Sequence, residues 1–279
     1  MTEQTLTITP RSTTIPRARR PRPTKKGVGY WVLTRSAGLV LLFAVWEILP
    51  RLGLFIDRRF LPPISEIAVE WWSLAVDGTL WHNTQVSLVR SFSGLAIAIA
   101  IGVPLGLFIG WYRLVSDVLS PVLELARNTA ALALLPVFTL LLGIGQESKV
   151  ALIAWACTWP LLLSTQTGVR NVDPLLVKSA RSMGLGSFRL FQKVVLRAAL
   201  PNIFTGLRLA GAASILLLIA SETIGATSGL GFFIENSQGN FQIHSMYAGI
   251  LTISILGLLL NFSLIKLERT FSKWKTDPR

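Results

Sequence analysis

"SLVRSFSGLAIAIAIGVPLGLFIG", residues 87–110, carries a single charge, Arg90, close to its start. A helix rises 1.5 Å per residue, so a run of about 20 apolar residues crosses the hydrocarbon core of a bilayer. Within the run, Gly94, Ala98, Gly102, Gly106 and Gly110 recur at every fourth position. That register lays one narrow ridge of small side chains along a helix, which in lipid lets a second helix approach closely. The stretch therefore reads as a membrane helix built to pack against another.

Similar runs lie on either side. Apolar segments at about 31–50, 118–143, 149–168, 203–225 and 247–266, with 87–112, make six expected spans. The fifth repeats the small-residue register with Gly206, Ala210 and Ser214, and Pro104, Pro136 and Pro160 are expected to break three spans locally. Arg35 and Glu47 sit near the ends of the first span, where long side chains reach the interface. Arg90, near the outer end of the second, is read the same way in preference to attracting an anion. Between the first two spans "ISEIAVEWWSLAV" has helical period and suits a short interfacial helix. Composition agrees: 51% of the 279 residues are hydrophobic and 15% charged, against about a quarter charged in soluble domains. The fold class is an all-α polytopic membrane protein.

The net charge of +13 sets orientation rather than nucleic-acid binding, because the basic residues flank apolar blocks and no groove-reading module is present. Residues 1–29, with "PRSTTIPRARRPRPTKKG", read as a disordered basic tail ahead of a transmembrane domain at 30–279 whose core is about 85–270. No small-residue cleavage site trails the first apolar run, so the tail is not read as a signal peptide. Lys and Arg crowd the tail, the loop after the fourth span and the C-terminal end, and thin out in the other loops. Both termini and the fourth loop are thus expected in the cytoplasm.

Catalytic chemistry has no foothold. There is no nucleophile with a base, no carboxylate pair and no metal-ligand cluster at useful spacing. Cys157 lies in an apolar run and is expected to pack as a small hydrophobe, while His82 and His244 have no ligand-spaced companions. "GIGQESKV" at 143–150 lacks the glycine before Lys149 and the following hydroxyl that a phosphate loop needs. This chain is not expected to hydrolyse ATP, to bind a metal or to hold a cofactor of its own.

The fourth loop, "SARSMGLGSFRLFQKVVLRAALPN" at 179–202, has Arg181, Arg189, Lys193 and Arg197 and no acidic residue. The pattern predicts a short helix over 175–183 stopped by Gly184, then a second helix capped by Ser187, with Phe188, Phe191 and Val195 on one face, ending at Pro201. Two helices this short are marginal in water and need a surface to pack on, either a soluble cytoplasmic partner or lipid headgroups.

This loop resembles the EAA motif of bacterial ABC importer permeases, written Glu-Ala-Ala, three residues, Gly, nine residues, Ile, any residue, Leu-Pro. Here it reads Lys178-Ser179-Ala180, then Gly184, Val194, Leu196 and Arg197. "FLPPISEI" at 60–67, "LARNTAALALLPVFTLLLGIGQESK" at 125–149, "SETIGATSGLGFFIENSQ" at 221–238 and "YAGILTISILGLLLNFSLIKLER" at 247–269 are similar to permeases for aliphatic sulfonates, taurine and nitrate. Ala130 departs from that group, which commonly has proline there. The resemblance implies the ABC type I importer permease arrangement in a bacterial plasma membrane, with coupling helices between spans 4 and 5. It also implies a second permease copy, ATPase subunits carrying ATP and Mg, and an extracytoplasmic substrate-binding protein. Ala180, Arg181, Gly184, Phe188, Arg189 and Phe191 would dock the ATPase.

Polar groups inside the spans complete the candidates. Arg127, Asn128, Ser221, Glu222 and Thr223 are expected to line a pathway, although Arg127 could instead pair with Glu124 one turn earlier and Glu222 could instead serve an inter-helix role. Glu222 has no basic residue nearby in the sequence. The implied cargo is a small anion; import of a thiamine or riboflavin precursor, or a membrane scaffold or enzyme, are the competing readings.

Overall fold

The computed structural model describes residues 28–52 and 59–271, and every regular element among them is helical. The tail expected to be disordered lies, up to residue 27, outside the described residues. The chain divides into two units, residues 1–46 and 47–279. Most of α1 (Val28–Leu52) belongs to the first, and the remaining elements belong to the second.

The second unit is organised around three long helices, α3 (Thr79–Trp111), α6 (Gln146–Arg170) and α9 (Leu196–Glu222). Its outer surface is apolar, and its interior mixes apolar with small and polar residues. On α3 the buried side includes Ser87, Arg90, Ser91, Gly94 and Gly102, while Val89, Phe92, Ile97, Ile101, Leu105 and Phe108 are exposed. Such a surface suits lipid, where apolar side chains lose nothing by facing outward and close packing supplies the cohesion.

The small-residue ridge of α3 lies on α6. A β-carbon at Gly94 would stand 2.6 Å from Ile153 Cγ2, and one at Gly106 would stand 2.6 Å from the Leu162 carbonyl oxygen. At Gly110 it would meet Val169 Cβ at 2.8 Å, and at Gly102 the Thr158 carbonyl oxygen at 3.1 Å. Ala98 is fully buried and shares a core with Ile153, Cys157, Leu161 and Ala210. α9 packs on both helices: Gly206 of α9 approaches Ser164 of α6, and Ser214 of α9 bridges to Ser91 of α3 at 3.2 Å.

Among the described residues, four helical segments are long and apolar enough to cross a membrane: Thr79–Trp111, Gln146–Arg170, Ser187–Glu222 and Ile243–Thr270. A fifth is a bent pair. The span expected as one helix at 118–143 is instead α4 (Arg113–Asn128), a 3₁₀ turn (Ala131–Leu134) and α5 (Leu135–Leu142), bent by 85°. The break is not at Pro136, which sits in the first turn of α5 where its missing N–H costs nothing. It comes at Thr129 and Ala130, whose extended backbone (ψ 123° and 107°) ends α4. Pro104 and Pro160 stand inside α3 and α6 without interrupting them, so the expected breaks there are corrected as well.

The short helix read at "ISEIAVEWWSLAV" is α2 (Ile64–Val76), but it is more than an interfacial helix. Trp71 Nε1 donates to Thr252 Oγ1 at 2.9 Å and Ser245 Oγ donates to Glu70 at 2.7 Å, fastening α2 to α11 (Ile243–Phe271). Val69 and Trp72 remain exposed on its far side. The short α10 (Leu230–Gly239) precedes α11 and packs on it.

The loop after α6 forms α7 (Pro174–Ser182), with Asp173 Oδ1 accepting from Leu175 N as its N-cap. The chain then turns at Gly184 into α8 (Ser187–Leu190), a π-helical turn (Phe191–Val195) and α9 without a break. Two expectations change. Gly186, not Ser187, is the N-cap, and Pro201 lies inside α9 rather than ending a helix.

Candidate functional site

Three regions hold the residues singled out by sequence. The first is the exposed turn between α7 and α8. Gly184 adopts φ +77°, and the turn closes with Gly184 N donating to Arg181 O at 2.9 Å and Leu185 N donating to Ala180 O at 3.2 Å. This is a left-handed helix stop that favours glycine. Nothing of this chain lies within 4 Å of a β-carbon placed there, so the demand for glycine comes from the backbone turn and not from crowding by its own fold. Ala180 is buried beneath the turn, whereas Met183, Phe188, Arg181 and Arg189 are exposed, Phe188 at 74%. Phe191 is partly buried, stacking edge-on against Trp111 with ring centroids 5.1 Å apart. Phe188, Phe191, Trp111 and Tyr112 border an open cleft of about 460 Å³. Lys178, Ser179 and Arg197 are all exposed, consistent with a strongly basic outer face.

The second region is buried. Arg90, expected to reach for the interface, is 4% exposed and pairs with Glu222 at 2.7 Å. Glu222, 1% exposed, accepts in addition from Ser87 Oγ at 2.8 Å and Gly231 N at 2.9 Å. Arg90 also donates to the Ser228 carbonyl and to Gln146 Oε1. Asn83 Oδ1 accepts from Gly229 N, and Ser87 Oγ accepts from Leu230 N. A β-carbon at Gly229 would overlap the Glu222 carboxylate, which is why the chain passes there without a side chain. These bonds tie α3, the end of α9, the start of α6 and the 228–231 segment, where α10 begins, into one polar knot. Glu222 therefore has a basic partner, supplied from 132 residues earlier.

Lys149 is 2% exposed beside this knot, with Nζ 3.4 Å from the Gly145 and Gly225 carbonyl oxygens. Sequence reading overlooked Ser87, Asn83, Gln146 and Lys149 as members of the knot. The one local signal was the three-residue spacing of Ser87 and Arg90, which puts both on one helix face. Ser221 and Thr223 flank Glu222, but their hydroxyls donate to Leu218 O and Ala220 O within the helix turn.

The third region surrounds the break after α4. Arg127 and Asn128 end that helix and both are exposed. Among the described residues Arg127 forms no ion pair, with Glu124 or with any other carboxylate. Arg127, Thr129 and Ser164 share a cleft of about 470 Å³ with apolar residues of α6 and α9. No group of three or more His, Cys, Asp or Glu able to hold a metal occurs among the described residues.

The described regions thus form a multi-helical unit with an apolar outer surface and a basic exposed turn. Residues 102–273 match the family model described as binding-protein-dependent transport system inner membrane component. The taurine transport system permease protein TauC of Escherichia coli is 34% identical over 254 residues, covering 88% of this chain and 92% of that protein. The aliphatic sulfonates transport permease protein SsuC of Bacillus subtilis is 31% identical over 261 residues, 92% of each. Among solved structures, the inward-facing MetNI methionine ABC transporter superposes with a TM-score of 0.59 at 18% identity, over 67% of this chain and 94% of that one, a likeness of fold. The chain belongs to the family of binding-protein-dependent transport inner membrane components and is an ABC importer permease, without enzymatic activity of its own.

Proposed function

We propose that this chain is the membrane-spanning half of an importer for a small anionic solute of the aliphatic sulfonate, taurine or nitrate class. In this reading α1 is the first of six spans, both termini face the cytoplasm, and two copies of the chain form the pathway. An ATPase subunit grips the segment at 178–197, an extracytoplasmic protein delivers the solute, and ATP-driven closure of the ATPase pair reorients the spans by alternating access. ATP and Mg belong to that partner.

The observation that carries this reading is the exposed turn at Gly184. A bare Phe188 and a cluster of arginines project beyond the apolar body on a turn closed by its own hydrogen bonds. An apolar side chain held out in this way favours insertion into a partner's cleft over contact with headgroups alone. The turn is also continuous with α9 through the π-helical turn, so a pull on it is transmitted along a 36-residue helical segment. A Phe188→Cys variant is expected to form a crosslink with the ATPase subunit in membranes, and Arg197→Cys, further up the same segment, to do so less. Absence of any crosslink from either position, with an assembled transporter present, contradicts the docking.

A further inference from the structure

Resting on the reading of this chain as an anion importer, we propose that the cleft at the helix break is its sulfonate subsite. Arg127 holds the oxyanion head there and the apolar wall holds an alkyl tail. The cleft lies halfway along the pathway helices: its α6 lining runs from Ala156 to Ser164 and its α9 lining from Leu209 to Leu217, the middle of each helix. Irregular backbone at that depth is tolerated where it lines a cavity, and here Thr129 and Ala130 are extended beside one.

Arg127 differs from the other basic side chains of the apolar body. Arg90 is paired with Glu222, Arg208 with Glu268 at 3.4 Å, Arg170 with Asp117 at 3.7 Å, and Lys149 rests on two carbonyls. Among the described residues, Arg127 has neither an ion pair nor a side-chain hydrogen bond. A guanidinium without a counter-charge at membrane depth is costly, and such groups face pathways. Its planar fork suits an oxyanion, and the Ser164 hydroxyl adds a neutral donor, while the Thr129 hydroxyl is engaged with the Leu125 carbonyl oxygen at 3.0 Å.

The rest of the lining selects among anions. Trp159, Leu209 and Leu217 present apolar surface, which an alkyl chain covers and a tail-less oxyanion such as nitrate does not. No acidic residue lines the cleft, so the ammonium of a zwitterion such as taurine finds no partner there. Leaving that charge desolvated and unpaired works against binding. The subsite therefore prefers a simple alkanesulfonate to taurine or nitrate.

The test is binding to the full-length chain in lipid nanodiscs, followed by tryptophan fluorescence during titration with hexanesulfonate, taurine and nitrate. Wild type is expected to bind hexanesulfonate saturably and at least about tenfold more tightly than taurine or nitrate. Arg127→Ala is expected to weaken hexanesulfonate about tenfold to hundredfold, with an unchanged size-exclusion profile, and Arg127→Lys to recover part of the loss. No saturable hexanesulfonate binding, unchanged affinity in Arg127→Ala, or equal affinity for taurine overturns the subsite. Uptake in cells separates this from the parent reading. If deleting the chain abolishes anion uptake while Arg127→Ala binds normally, the subsite alone fails. If the deletion abolishes uptake of a neutral or cationic solute instead, the anion reading fails with it.

Discussion

Glu222 shows how much of a membrane protein's stability can rest on one carboxylate. It is nearly sealed from solvent, and Arg90, Ser87 and Gly231 N all donate to it. Removing one member of a buried pair strands the other, at about 3–5 kcal/mol. Glu222→Ala is expected to lower the thermal unfolding temperature in detergent by that order of cost. Arg90→Ala is expected to cost a similar amount, and the double alanine variant less than the two losses together, since no lone charge is left buried. Additive losses in that double-mutant cycle contradict the pairing. An inter-helix role for Glu222 was legible along the chain but its partner was not: Arg90 reads as an interfacial arginine because it stands near a span's end, and the two are far apart in sequence. Gly184 is the opposite case, because a glycine after a short basic helix announces the left-handed stop found there.

At the scale of elements, the α3–α6 seam was readable because its information is local. Five small residues at four-residue spacing define one face whatever the partner. The identity of the partner helix was not readable. Gly106→Ala is expected to cost about 1–3 kcal/mol by overpacking, because its β-carbon would meet the backbone oxygen of Leu162. Gly186→Ala, where nothing stands within 4 Å and φ is −66°, is expected to be neutral. Thermal unfolding of the two variants side by side checks the contrast. The broken span was misread for a physical reason: the apolar content of 118–143 is continuous, and the bend resides in two backbone torsions. Those torsions fit proline. Ala130 has φ −62°, the preceding Thr129 has ψ 123°, and the Ala130 N–H donates none of the turn hydrogen bonds there. Ala130→Pro is expected to stabilise the chain by about 0.4–1 kcal/mol, seen as a raised unfolding temperature. The same logic explains Pro201, which reads as a terminator although α9 runs through it with a π-helical turn shortly before.

At the scale of the molecule, the parts divide by chemistry. The buried knot fastens α3, α6, α9 and the 228–231 segment at one end of the bundle, and the basic turn projects from the other. A rigid end, a mid-depth cleft beside a broken span and an exposed lever suit a machine moved from outside itself. The class of the protein was legible from composition, span pattern and the loop at 179–202, because each depends on runs of residues rather than on distant pairs. The mid-depth cleft was not, because it draws on α4, α6 and α9 together. The most direct test of the account is ATP-dependent uptake of a radiolabelled alkanesulfonate in cells carrying the complete transporter, comparing wild type with Gly184→Asp. The account predicts robust uptake by wild type and none by the variant, with equal amounts of both chains in the membrane. Normal uptake by Gly184→Asp would contradict it.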